Sequence, residues 1–316
     1  MPSATDATLL SRENEPVTRR GWLLFAAMAM IWGIPYLLIK VAVAELAPST
    51  LVLLRTTVGG VILVPIALAR GDVRPLLSRW RWVVAYTVVE VAAPWLLLSD
   101  AERRLSSSLA GLLIAGVPLI GALFVWIIGG DDRPDLRRVM GLVVGFVGVA
   151  LVVGLDVAAD DLVAVGEVGL VVVGYAIGPM IIARRLQGAP AVGVVASSLA
   201  LTALAYAPLG IAQRPAALPS TQALLSIGVL GVVCTALAFL LFFALIAEVG
   251  PIRATIITYF NPAVAIVLGV LLLSEPFTVG IAAGFALIAV GSFVATRRTG
   301  PSGGMRAPAD ALPESP

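Results

Sequence analysis

Charged residues are scarce in this sequence of 316 residues. Asp, Glu, Lys and Arg together make up 13% of the chain, against roughly 25% in an ordinary soluble domain. Hydrophobic residues make up 59%. A water-soluble protein of this size needs many more charged side chains to cover its surface. We therefore expect most of the chain to lie in a lipid bilayer.

Histidine is absent, and Cys234 is the single cysteine. These two facts exclude acid–base chemistry by histidine, histidine ligation of metals or haem, and an internal disulfide. No GxGxxG, Walker A, EF-hand or metal-ligand spacing occurs in the sequence, so we predict no cofactor and no bound metal. The basic residues form no contiguous patch, which argues against a nucleic-acid partner.

Long apolar runs dominate the rest of the chain. Because a membrane-spanning helix needs about 20 apolar residues whereas barrel strands are alternating segments of about 10, these continuous runs predict an all-α integral membrane protein with ten transmembrane helices. The first run is too long for the apolar core of a cleaved signal peptide. The runs are 22–43, 50–69, 82–101, 106–128, 139–155, 168–183, 190–211, 222–247, 251–273 and 279–296.

The distribution of Lys and Arg predicts the orientation of these helices, since cytoplasmic loops are rich in basic residues. With ten spans, the side that holds both termini carries 16 basic residues and the opposite side carries Arg103, Arg104 and Arg214. Lys40 and Arg55 fall inside predicted helices. Both termini are therefore predicted to be cytoplasmic in a multi-pass protein of the cell membrane.

An internal repeat relates the two halves of the chain. A shift of 144 residues aligns Pro35 with Pro179, Lys40 with Arg184, and Pro118 with Pro262. Five helices per half is an odd number, so the halves must have opposite orientations in the membrane, as in many secondary transporters. We divide the chain into a cytoplasmic tail (1–20), a first five-helix repeat (21–156), a second five-helix repeat (157–298) and a disordered cytoplasmic tail (299–316).

Two sequence motifs resemble those of a known family. The stretch IWGIPYLLIK (31–40) is similar to the first-helix pattern of the EamA-type transporters, which belong to the drug/metabolite transporter superfamily. The stretch from Ala254 to Gly291 is similar to the end of that family's second repeat, with an LxE turn that contains Glu275. The first repeat departs from the pattern, because GGDD (129–132) replaces LGE and only Asp131 matches the acidic residue loosely. The resemblance implies ten helices in two inverted repeats, cytoplasmic termini and transport of small metabolites, often outward.

Three charged residues lie within or at the ends of the predicted helices. Glu90 falls near the centre of the third helix, where a carboxylate is costly unless it faces water, a partner or the bundle interior. We predict a role for it in substrate binding or proton coupling, the alternative being a protonated carboxyl that bonds neighbouring helices. Lys40 and Arg55 are predicted at the outer ends of helices 1 and 2. They would either bind a substrate carboxylate in an outer cavity or extend to the interface and pair with Glu45.

Deep aromatic and amide side chains complete the predicted site. Tyr and Trp usually lie at the membrane interface, so those in the middle turns are candidates for the lining of a central cavity. Core packing is an equally good explanation for each of them. The predicted substrate-binding residues, with Glu90, are Trp32, Tyr36, Trp95, Tyr175, Tyr259 and Asn261.

These observations favour a secondary transporter of the plasma membrane, in which the two repeats rock around a midplane cavity. Its partners would be the bilayer and a small solute, such as an amino acid, a related metabolite or a drug, exported from the cytoplasm. An intramembrane enzyme is less favoured, because the sequence lacks histidine, a cysteine pair and paired membrane carboxylates. A non-transporting membrane scaffold is the other alternative.

Overall fold

The computed structural model describes residues 17–128, 136–254 and 256–296. This part of the chain forms ten apolar helices and contains no β-strand. The predicted tails fall largely outside the described residues, and Asp131 does so entirely. The helices are α1 Arg19–Val43, α2 Pro48–Ala69, α3 Arg74–Arg104, α4 Ser107–Ile127, α5 Leu136–Asp156, α6 Ala159–Arg185, α7 Ala191–Ala212, α8 Thr221–Val249, α9 Ile257–Leu273 and α10 Val279–Thr296.

The all-α membrane fold predicted from the sequence is confirmed, with small differences in helix length. Nine of the described helices are long and apolar enough to cross a bilayer, and α9, at 17 residues, is shorter. The run that begins at 251 forms a short helical turn, Pro251–Ala254, before α9 begins at Ile257. Helix α3 begins at Arg74, eight residues before the apolar run, because polar residues can extend a helix beyond the hydrocarbon region.

Each main helix pair joins one repeat to the other. Helix α5 packs along α10, and α2 packs along α7. Helix α3 packs on α6, and the equivalent contact of the second repeat joins α8 to α1. Because each repeat has five helices, equivalent helices cross the bundle in opposite directions. The fold is therefore a pair of inverted five-helix repeats with interleaved helices.

A π-helical turn interrupts α3 at Thr87–Ala92 and α8 at Val232–Leu237. The two turns occupy equivalent positions in the repeats, within one residue of the 144-residue shift. In α3, Pro94 has no N–H to donate to the carbonyl of Glu90, four residues earlier. In α8, the Thr235 hydroxyl donates to the Leu230 carbonyl at 2.8 Å. Turns of this kind are frequent at functional sites.

The pairing of α5 with α10 depends on small residues. A Cβ atom on Gly291 would overlap the backbone of Gly141 and Gly145, and one on Gly141 would overlap the backbone at Ala295. The two backbones are therefore in direct contact, as is common where small residues line a membrane helix interface. This pair closes one flank of the bundle.

Candidate functional site

Arg55 lies inside the bundle. It is the eighth residue of α2, about 10 Å from the helix start at a rise of 1.5 Å per residue, and only 7% of it is exposed. Its guanidinium stacks over the ring of Trp95 from α3, 3.7 Å from the ring centroid. Cation–π contacts of this kind are strongest where water is excluded. Of the two alternatives for Arg55, the buried position favours a site inside the bundle over extension to the membrane interface.

Thr235 holds Arg55 from the second repeat. The Arg55 Nε donates to the Thr235 hydroxyl at 3.1 Å, while that hydroxyl donates to the carbonyl of Leu230, which precedes the π turn of α8. The π turn thus places a hydroxyl against the guanidinium. The sequence alone does not point to Thr235, since a threonine in an apolar run gives no signal of a distant partner.

Aromatic residues from both repeats surround this cation. Trp95 is 6% exposed and Tyr36 is 7% exposed, and the Tyr36 ring packs on Gly111 of α4. Tyr175 of α6 packs against two groups of buried apolar side chains, one that contains Tyr36 and one that contains Trp95. Tyr36 and Tyr175 are both close enough to interact electrostatically with Arg55. We call Tyr36, Arg55, Trp95, Tyr175 and Thr235 the central cluster.

Glu90 lies in the π turn of α3, next to the central cluster. Its carboxyl group contacts Gly178 of α6 so closely that any side chain at that position would overlap it. The Oε2 atom is buried and has no hydrogen-bond partner among the described residues. The ionisable groups facing it are Tyr86 and Tyr175. An unpartnered buried carboxyl group is costly and is a common mark of a functional position.

Lys40 bonds to the end of a helix. Its ammonium donates to the carbonyls of Glu102 and Leu105, at 2.7 and 2.8 Å. These carbonyls at the end of α3 thereby receive hydrogen bonds from a side chain. Glu45, the partner predicted for Lys40 or Arg55, instead accepts from the backbone and hydroxyl of Ser220 at the start of α8. Among the described residues, the alternative in which Lys40 or Arg55 pairs with Glu45 is therefore not observed.

Glu102 is a buried carboxyl group that is absent from the predicted site. It is 0% exposed, and neither carboxyl oxygen has a hydrogen-bond partner among the described residues. It interacts electrostatically with Lys40, Glu275 and Arg55. Its position after the apolar run suggested a loop. However, it continues the helical face of Trp95 and Leu98 at a spacing of three and four residues, and that pattern predicts burial.

Trp32, Tyr259 and Asn261 lie outside the central cluster. Trp32 packs against Phe242 of α8, with ring centroids 4.7 Å apart. Tyr259 is in the first turn of α9, where its hydroxyl is 3.2 Å from that of Thr296 in the last turn of α10. With its amide nitrogen as the donor, Asn261 bonds to the carbonyls of Ala29 and Ile257. Asn261 thereby joins α9 to α1.

The LxE turn has a capping function. Glu275 accepts hydrogen bonds from the backbone N–H of Ser107 and Ser108, at 2.7 and 2.9 Å, and from the Ser108 hydroxyl. A carboxylate at the start of a helix satisfies free N–H groups and complements the helix dipole. Glu275 thus fixes the beginning of α4 from the opposite repeat.

Four side chains of the central cluster are buried, namely Tyr36, Arg55, Trp95 and Thr235, whereas Tyr175 is partly exposed. Two crevices lie elsewhere. One, of about 450 Å³, is an apolar groove between α4 and α5 lined by Trp126 and Phe146. The other, of about 170 Å³, lies near Arg104 and Asp156 at the opposite end of α5 from Leu136. In the described part of the chain, no three Cys, Asp or Glu residues converge as a metal site would require.

The fold and the candidate site together define the class of membrane protein to which this chain belongs. This is a multi-pass membrane protein of two inverted five-helix repeats, with polar and aromatic side chains enclosed between them. The sequence profile of the EamA-like transporter family matches residues 19–154 and 168–297, one match for each repeat. The chain belongs to the EamA-like transporter family and is a membrane transporter.

Curated relatives carry transporter names. The chain is 25% identical over 280 residues to the uncharacterized transporter YvbV of Bacillus subtilis, covering 86% of this chain and 90% of that protein. It is 26% identical to the uncharacterized inner membrane transporter YedA of Escherichia coli, covering 77% and 79%. A solved structure described only as a protein has the same fold, with a TM-score of 0.63, 22% identity and coverage of 87% and 96%.

Proposed function

We propose that this protein is a secondary transporter of the plasma membrane. It moves a small metabolite, such as an amino acid, a related solute or a drug, outward by alternating access around the central cluster. Both termini are cytoplasmic in this proposal. The family membership and the relative named as an inner membrane transporter support it.

The observation that carries the proposal is that two charged side chains of the first repeat, Arg55 and Glu90, contact the second repeat inside the bundle. Arg55 of the first repeat bonds to Thr235 of the second, and Glu90 of the first repeat contacts Gly178 of the second. Both contacts involve a π turn. Rocking of one repeat against the other would change both contacts at once. Binding of a solute here would therefore be coupled to the conformational change.

Glu90 is the proposed proton-coupling residue. A carboxyl group near the middle of a membrane helix, with one oxygen unpartnered, can take up or release a proton when its surroundings change from closed to open. Release on one side of the membrane and uptake on the other would couple the movement of solute to a proton gradient.

Flux in proteoliposomes tests the function. Purified protein would be reconstituted and assayed for uptake of amino acids, sugars, nucleosides and cationic drugs, with and without an imposed pH gradient. We expect gradient-driven flux of at least one solute and loss of the gradient dependence in Glu90→Gln. The exposed residue Asp160 provides the control, because Asp160→Asn should leave flux and pH profile unchanged. An unchanged pH profile in Glu90→Gln would remove the coupling role.

A further inference from the structure

Arg55 is a buried cation without a matching anion. Among the described residues, no carboxylate lies within salt-bridge distance of its guanidinium, and its one hydrogen bond uses Nε. The two terminal nitrogens, which form the fork that binds carboxylates bidentately, have no such partner. A buried charge without a partner is costly, and its retention needs an explanation.

The surroundings hold the fork in one orientation. Trp95 stacks on one face of the guanidinium, and Thr235 fixes Nε. Lys40, the other cation of the first repeat's helix interior, already donates to two backbone carbonyls. Arg55 is therefore the cation that remains for a ligand in the central cluster.

We propose that Arg55 binds a carboxylate group of the transported solute, and that the solute is a monocarboxylate with an apolar or aromatic body. The inference rests on the proposed function, since it takes the central cluster as the solute site. One guanidinium matches one negative charge, which favours a monocarboxylate over a doubly charged phosphate. The Trp95 ring stacks on the guanidinium, and Tyr36 and Tyr175 are near enough to interact with it electrostatically, so aromatic side chains are available to an apolar or aromatic body.

Equilibrium binding to the purified full chain tests this assignment. The probes are acetate, hexanoate, phenylacetate and indole-3-acetate, each compared with its neutral amide, together with phenyl phosphate. We expect at least one carboxylate to raise the melting temperature and to bind more tightly than its amide by isothermal titration calorimetry. Phenyl phosphate should bind less tightly than that carboxylate. No preference for any carboxylate over its amide would overturn the proposal.

Variants locate the site. Charged hydrogen bonds contribute about 1.5–3 kcal/mol, so Arg55→Gln should weaken carboxylate binding by about tenfold or more. The carboxylate affinity of Arg55→Lys should lie between those of the wild type and Arg55→Gln. A lysine keeps the charge but lacks the planar fork and the stacking on Trp95. Arg103→Gln, at an exposed arginine, is the matched control and should change affinity less than about twofold. Unchanged binding in a folded Arg55→Gln or Arg55→Lys variant would overturn the assignment.

Flux measured alongside equilibrium binding distinguishes failure of the secondary-transport proposal from failure of the Arg55 carboxylate site. Carboxylate binding without gradient-driven flux would contradict secondary transport and leave the Arg55 site intact. Gradient-driven flux of a neutral or cationic solute, unaffected by every carboxylate, would contradict the Arg55 site and leave secondary transport intact.

Discussion

Several charged side chains of this protein bind the ends of helices. Glu275 caps the start of α4, Glu45 caps the start of α8, and Lys40 bonds to the carbonyls at the end of α3. All three lie at the end of the bundle away from both chain termini. Few charged side chains lie inside the bundle. Arg55, Glu90 and Glu102 differ from the capping residues because they do.

Glu45 predicts a pH-dependent contribution to stability. The hydrogen bonds from the hydroxyl and then the backbone of Ser220 hold the pKa of its carboxyl group below the ordinary value of 4.5. The contribution is therefore present above the unfolded pKa and is lost as the pH falls through the folded pKa. We expect Glu45→Gln to melt below the wild type at pH 7 and the difference to shrink below about pH 4.5.

Thermal melting in detergent between pH 7 and pH 3.5 checks this expectation. Asp160→Asn removes an exposed carboxyl group and serves as the control, with no comparable change across the range. A difference between wild type and Glu45→Gln that stays constant over the whole range would contradict the prediction.

The residue scale also shows what sequence reasoning can find. Glu90 was predicted because its depth can be counted along a single helix. The surroundings of Arg55 could not be predicted, since the ring that stacks on it, Trp95, comes from another helix. Glu102 was overlooked because it follows the apolar run, although its helical face is buried. Contacts between distant segments therefore limited the site prediction.

At the scale of helices, backbone irregularities coincide with the candidate site. The π turns of α3 and α8 contain Glu90 and Thr235, and the Tyr206 hydroxyl of α7 donates to the Ala92 carbonyl of the first turn at 3.1 Å. Apolar run length predicted ten helices well, because hydropathy measures transfer into the bilayer. Hydropathy does not distinguish a π turn from an α-helical turn, so these turns could not be predicted from the sequence.

The interface between α5 and α10 predicts a sharp difference between two glycine substitutions. A methyl group at Gly291 would meet the backbone of Gly145 and force the helices apart, so Gly291→Ala should cost about 2 kcal/mol. A Cβ atom on Gly154, also in α5, would meet nothing within 4 Å. Gly154→Ala should instead be neutral or stabilise the fold by up to about 1 kcal/mol through helix propensity.

Melting temperatures in the same detergent check both variants, with the yield of folded protein as a second measure. Equal effects at the two positions would show that the two helices are not held in backbone contact as described.

For the whole molecule, the orientation in the membrane can be tested, because loops at opposite ends of the bundle would face opposite sides of the bilayer. Cys234 is 1% exposed, so the native chain should resist a membrane-impermeant maleimide. In a Cys234→Ala background, Leu218→Cys lies in the loop between α7 and α8, where Leu218 is 93% exposed. If the termini are cytoplasmic, this cysteine should be labelled in intact cells.

Gln187→Cys provides the matched control. This exposed position lies between α6 and α7, at the opposite end of the bundle from Leu218, and should be labelled only after the cells are permeabilised. The reverse pattern would place both termini outside and would contradict the orientation drawn from the arginine distribution.

The Glu45 cap has a consequence for the energy of the transport cycle. In a protein of two inverted repeats, opening toward one side of the membrane is the mirror of opening toward the other, so perfect symmetry would make the two open states equal in energy. Glu45 ties the first repeat to the start of α8, whereas the equivalent position of the second repeat is Ala189, which has no carboxylate. If the protein alternates between two open states, as we propose, this difference between the repeats makes those states unequal in energy even before any solute or gradient acts.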